Sequence, residues 1–363
     1  MRFGWDDEQQ LLRETVEAIA VERAGRAEFR RHAEPGAGYD MDLWHAIGRD
    51  LGLAGLTISD EYGGAGAGAV ELAIVMEATG RSLAPSPLFA TLALGAAAIA
   101  ASGDTAAMAE YLPRIASGET TATLAHFEDP QRGEVQTRAE RSDAGWMLTG
   151  MKRAVVDGAT ADLLIVTALD GDDLRLFVVD GVDAERVPST VLDTTRPLAT
   201  VRLDATPATP LAGGEEALAR ALRSASLALA AESLGVAQWC LDTSVAYART
   251  RVQFDRPIGS FQAIKHKLAD MLMDVEAARA GIAYATWSLD QDLDDIDAVA
   301  PLTAASISDA ARRVASQTLQ ILGGIGYTWD HDAHFYFKRA TASAQLLGSA
   351  ASQREAALAA MGI

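Results

Sequence analysis

The sequence predicts an α+β protein in which a helical module, a small antiparallel β-sandwich or barrel and a four-helix bundle follow one another along the chain. Three observations predict it. Apolar residues recur at helical spacing up to about residue 118, the period falls to two between 119 and 212, and helical spacing returns in longer, alanine-rich runs from 213 to 363. Three domains, 1–118, 119–212 and 213–363, are expected, and 363 residues suffice for two or three packed modules.

In the first module Leu11, Leu12, Val16 and Ile19 share one helix face, as do Leu43, Trp44, Ile47 and Leu51. Gly63, Gly64, Pro85, Pro87 and Gly103 separate the helices. The opening MRFGWDDEQQLLRE is acidic and amphipathic and lacks the basic-then-apolar order of a signal peptide, so it reads as a first helix of a cytoplasmic protein. The longest apolar run, Leu88 to Ala101, is alanine-rich and too short to span a membrane.

In the middle module Leu163–Val166 and Leu174–Val179 are β-branched runs, and turns at Asp143-Ala-Gly, Asp157-Gly and Asp170-Gly-Asp space such runs as hairpins. The bundle is expected from Ala217–Arg251, Phe261–Leu289, Pro301–Leu322 and a final segment from Asp332. The acidic connector from Asp290 to Asp297 has no EF-hand glycine or terminal glutamate at the spacing calcium requires, and reads as a solvated turn.

A formal net charge of −19 excludes a nucleic-acid partner, because no basic stripe is present to neutralise phosphates. The single cysteine, Cys240, excludes an intramolecular disulfide framework and fits a reducing compartment. His331 and His334 are three apart but have no third ligand at compatible spacing, so no metal site is expected.

Two stretches carry chemistry. In Arg251-Val-Gln-Phe-Asp-Arg-Pro-Ile-Gly-Ser-Phe-Gln, ending at Gln262, a guanidinium, a ring and an amide surround the turn between two long helices, a set suited to a dinucleotide. The Gly323-Gly324-x-Gly326 turn, just after Gln320, permits close backbone approach at a helix end. A third stretch, Asp60-Glu-Tyr-Gly-Gly, lies in the first module.

In these three stretches, in matching order across nearly the whole chain, the sequence resembles the acyl-CoA dehydrogenase family. The resemblance implies that family's fold, FAD, an acyl-CoA substrate, an electron-transfer flavoprotein or similar acceptor, and a tetramer whose C-terminal elements reach a neighbour's FAD. It assigns Arg251 to the pyrophosphate, Gln253 and Phe254 beside it, and Gln262, Gln320, Gly323 and Gly324 to the adenosine end. Asp255 stands where the family more often has glycine.

The middle module departs from the family. Its T-E-P-x-x-G-S-D loop is not recognisable in Leu124-Ala-His-Phe-Glu-Asp-Pro, and its K-x-W-I-T strand reads Lys152-Arg-Ala-Val-Val. Ala154 therefore replaces a flavin-stacking tryptophan and Val156 a hydroxyl residue. Lys152 reads as a solvated strand lysine, with a phosphate-facing one as its alternative. The catalytic glutamate is missing too: Leu347 occupies its usual position, and Ala225 with Ser226 the alternative one. Glu232, further along the same helix, reads first as a structural glutamate, with a relocated catalytic base as its alternative. Losing the flavin pocket and base while keeping residues that serve a neighbour points to one subunit of a heteromeric acyl-CoA dehydrogenase of lipid or steroid catabolism, beside a paralogue that keeps both. A self-sufficient homo-oligomer with a relocated base and a non-catalytic acyl-CoA-binding homologue are the alternatives; nothing marks the oxygen-activating site of a flavin monooxygenase.

Overall fold

The computed structural model describes residues 5–23, 26–34, 38–128, 135–143 and 145–363. Its helices are α1 (Asp7–Arg23), α2 (Arg26–His32), α3 (Met41–Trp44), α4 (Ala69–Ser82), α5 (Ala97–Ser102), α6 (Thr105–Ala116), α7 (Gly214–Thr250), α8 (Gln262–Asp290), α9 (Ile296–Leu322), α10 (Ala333–Leu346) and α11 (Ala350–Ala360). The strands β1 (Ala122–Ala125), β2 (Arg138–Ser142), β3 (Gly145–Val156), β4 (Leu163–Asp170), β5 (Asp173–Asp180), β6 (Glu185–Pro188) and β7 (Leu198–Leu211) lie between α6 and α7. A two-stranded hairpin, β8 (Val252–Gln253) and β9 (Arg256–Pro257), joins α7 to α8. The chain forms two compact units: Met1–Gly25 with Ala69–Ala84 and Ser226–Ile363, and Arg26–Gly68 with Pro85–Ala225.

In the second unit Asp40 caps α3 and Asp104 caps α6, each carboxylate accepting from backbone N–H groups that the first turn leaves free. The β strands close on themselves: β4 meets β2, β2 pairs with β3, β3 with β7, β7 with β5, and β5 returns to β4. Period-two alternation turns Leu148, Leu164, Val166, Phe177, Val179, Val201 and Leu203 into one core. The module is mainly antiparallel, but β1 runs parallel to β4, because the β2–β3 hairpin intervenes and no tight turn joins them.

In the first unit α4 crosses α7 at two glycines. A Cβ on Gly80 would lie 2.1 Å from the Glu232 carbonyl oxygen, and one on Gly235 would lie 2.0 Å from that of Glu77. Both obstacles are backbone, which cannot rotate away. Gly235→Ala should therefore destabilise the fold by about 1–3 kcal/mol or more, read as a lower denaturant midpoint with an unchanged slope.

Three expectations change here. α9 starts at Ile296 and carries Pro301 inside it, so proline does not open the helix and the connector is shorter than the sequence suggests. The final segment is two helices, parted at Gly348 with φ +104° and restarted by the Ser349 cap. The connector's acids are engaged rather than merely solvated: Asp290 accepts from the N–H groups of Ala69 and Val70, and Asp295 from Tyr284 and Ser288.

Candidate cofactor half-site

Tyr247 of α7 packs against a cluster of Leu319 and Leu322 of α9 with Ala333 of α10, which brings the C-terminal ends of α7 and α9 together. One turn beyond Tyr247 the chain leaves α7 as a hairpin. Its ladder pairs Val252 with Pro257 and Gln253 with Arg256, and the Ile258 N–H extends it by donating to the Arg251 carbonyl at 2.8 Å. The two turn residues, Phe254 and Asp255, have φ values of +53° and +62°. Positive φ at both centres is the pattern of a type I′ hairpin turn, which suits the glycine more common at the Asp255 position in the family; aspartate tolerates this region better than most residues.

Phe254 is 85% exposed. Its ring meets Phe261 edge-on at 6.1 Å, and the Arg256 guanidinium lies 4.1 Å above the same Phe261 ring. Among the described residues, the side chains of Arg251, Gln253, Asp255 and Gln262 have no hydrogen bond or ion pair within the chain. A non-glycine residue held at positive φ carries backbone strain, and here it presents a ring and polar side chains to the surface.

At the end of α9, Gly323 has φ +65° and ψ −142°, a conformation open essentially to glycine alone. The chain then turns tightly through Tyr327, whose hydroxyl accepts from the Gln320 amide at 3.3 Å. A Cβ on Gly324 would meet nothing within 4 Å, so that backbone stands open. These residues fit a dinucleotide: unpaired guanidinium and amide donors, an exposed ring and accessible glycine backbone.

The base positions look different. Ser226 and Leu347 line one cavity of about 20 Å³ with Ser233, Ser308, Ser343 and Gln353, a space for about one water molecule. No carboxylate lines it among the described residues. Ala225 is fully buried in α7. Glu232 is buried and its carboxylate accepts from Arg339 of α10 at 2.5 Å, with Arg339 itself 4% exposed.

The middle module alters one expectation sharply. Lys152 is not a solvated lysine: it is 0% exposed, its ammonium donating to Glu128 at 2.5 Å and to the Thr167 hydroxyl at 2.9 Å. Glu128 also accepts from the N–H groups of Gln136 and Thr137 and from the Thr137 hydroxyl. Burial pushes the Lys152 ammonium down to about 8 against the opposing pull of Glu128. Burial would raise the Glu128 carboxyl, but Lys152 and Thr137 outweigh it and hold the group below its ordinary value. Beside this pair, the Phe127 carbonyl accepts from the Arg153 N–H at 2.8 Å. Ala154, at the position of the stacking tryptophan, sits in a bulge with φ +49°, and the buried Val156 offers only its carbonyl, to Thr123.

His126 follows β1, and its Nδ1 is buried without a partner. Burial, with Lys152 nearby, lowers its pKa to about 4, against about 6.5 in the unfolded chain. The unfolded state therefore binds the extra proton between these values, and stability falls as pH drops from 6.5 towards 4. His126→Gln should flatten that part of the stability profile, measured by denaturant unfolding at stepped pH.

The histidines His331 and His334 serve packing: His331 Nδ1 accepts from the Ala333 N–H, and His334 lies against Trp329 and Phe335. Cys240 is buried, and burial raises its thiol to about 12. No helix among the described residues is long and apolar enough to cross a membrane.

The family model for the acyl-CoA dehydrogenase N-terminal domain matches residues 6–119, and that for the C-terminal domain matches 212–362. The chain is 38% identical over 344 residues to a protein named acyl-CoA dehydrogenase IpdE2 from Mycolicibacterium smegmatis, covering 94% of this chain and 95% of that one. Among solved structures it is similar to a variant of the Tcur3481–Tcur3483 steroid ACAD, with a TM-score of 0.89, 30% identity and 98% of each chain covered. It is similar also to the ChsE4–ChsE5 complex from Mycobacterium tuberculosis, with a TM-score of 0.88, 28% identity, and 100% and 98% covered. With the half-site's donors and the fold in agreement with these matches, the chain belongs to the FAD-dependent acyl-CoA dehydrogenase family.

Proposed function

We propose that this chain is one subunit of a heteromeric acyl-CoA dehydrogenase, lending FAD contacts in trans to a paralogous subunit that holds the flavin pocket and the catalytic glutamate. The observation that carries the reading is a contrast: serines and Leu347 wall the cavity at the base positions, whereas the hairpin at the end of α7 keeps its unpaired donors. Bound FAD supplies the hydride acceptor for α,β-dehydrogenation. Arg251 binds the diphosphate, Gln253 and Phe254 flank it, and Gln262, Gln320, Gly323 and Gly324 receive the adenosine end. The paralogue supplies the α-proton acceptor.

A partner surface is at hand. Along α8, Ala269, Leu272, Met273, Ala277 and Ala280 are exposed at helical spacing, with Met273 70% exposed. The two-chain names of the similar solved structures support a heteromer, and the steroid named for one of them supports a bulky, ring-bearing acyl-CoA as substrate class. An electron-transfer flavoprotein or similar acceptor reoxidises the flavin in this reading, and a cytoplasmic tetramer is its assembly. Size-exclusion chromatography with light scattering tests it. Mixed with the paralogue, the chain should elute as one stoichiometric hetero-oligomer; two separately eluting species at micromolar concentration would contradict the reading.

A further inference from the structure

The β8–β9 hairpin carries a second arginine that the family resemblance does not assign. We propose that Arg256 is a further cationic contact to the FAD diphosphate, acting with Arg251 and Gln253 from one face of the hairpin. This rests on the reading of the hairpin as a half-site for a neighbour's flavin.

The ladder register places these groups. Residues two apart on a strand share a face, and directly paired residues face the same way. Arg251 and Gln253 are two apart, and Gln253 pairs directly with Arg256. The ladder bond from Ile258 to Arg251 keeps Arg251 in register, so Arg256 is its diagonal neighbour across the strands. Two guanidinium groups and an amide therefore stand on one face, and Val252 with Pro257 on the other.

Arg256 is also held in place. Its guanidinium rests 4.1 Å above the Phe261 ring, an arrangement that orients the planar group and leaves its N–H edge available. No acidic side chain pairs with it among the described residues. Charge counting gives it a task. Asp255 at the turn is unpaired and cancels the charge of Arg251, leaving the hairpin tip with no net attraction for a diphosphate. Arg256 restores it, and two forked donors match the two phosphates of a dinucleotide, where one serves a single phosphate.

The test uses the assembled complex, stripped of flavin and titrated with FAD by flavin fluorescence. Arg256→Met, which keeps an apolar chain over Phe261, should weaken FAD binding about ten-fold and flatten the salt dependence of the dissociation constant, with the melting temperature of the apo complex unchanged. Arg256→Lys should recover most of the loss. FAD affinity of Arg256→Met within two-fold of wild type, while Arg251→Ala falls ten-fold or more, overturns the role of Arg256 and leaves the half-site standing. Unchanged affinity in both variants overturns this inference together with the half-site reading.

Discussion

Glu232→Gln lowers the stability of the protein by about 3 kcal/mol and leaves turnover of the assembled enzyme nearly intact. The carboxylate accepts from Arg339 and both groups are buried, so the substitution removes the negative charge from a buried ion pair. Loss of a catalytic base would cost on the order of a hundred- to ten-thousand-fold in rate instead. Glu232 is not among the residues around the cavity that Ser226 and Leu347 line. A dye-coupled assay of the co-expressed complex beside a thermal melt separates the two outcomes. Collapsed turnover at unchanged melting temperature and flavin content would place the base in this chain.

Glu128→Gln should be at least as damaging, costing about 3–5 kcal/mol, because it leaves the Lys152 ammonium inside the barrel without its counter-ion. The pH dependence of this variant has a defined sign. Burial holds the Lys152 pKa near 8 even with Glu128 present, below its value of about 10.4 in the unfolded chain. The unfolded state thus holds more protons across that window, and the variant should regain stability as pH rises through it. Combining Glu128→Gln with Lys152→Met should recover much of the loss, since removing both partners of a buried pair is often nearly neutral. A double variant as unstable as Glu128→Gln alone would mean that the hydrogen bonds to Gln136 and Thr137, rather than the ion pair, hold this region.

The fold was legible wherever periodicity is long: the change from helical spacing to alternation and back marks the helical and β modules in order. What escaped depends on contacts distant in sequence. Lys152 gave no sign of burial because Glu128, its counter-ion, lies on a different strand connection, and the adjacent Arg153 in β3 blurs the alternation. Pro301 misled because proline often opens helices, whereas α9 begins a turn earlier at Ile296. Asp290 read as solvent-facing because the N–H groups it caps belong to α4, more than 200 residues earlier.

The site divides in the same way. The hairpin from Arg251 to Gln262 is contiguous, so its donors could be named from sequence; the register that aligns Arg251, Gln253 and Arg256 required the ladder. The serine-walled cavity combines residues of α7, α9 and α10 with the α10–α11 connection, and no local pattern joins Ser226, Ser308 and Leu347. That Ser226 and Leu347 carry no carboxylate was visible from residue order alone, but the serines that surround them were not.

Flavin content and turnover, measured on the chain alone and after co-purification with the paralogue, test the trans arrangement most directly. The arrangement predicts a colourless, inactive protein alone and a yellow, active complex whose flavin is lost on dialysis when Arg251→Ala is introduced in this chain, a weakening of roughly ten- to hundred-fold. A chain that binds FAD and turns over acyl-CoA without the paralogue would contradict it.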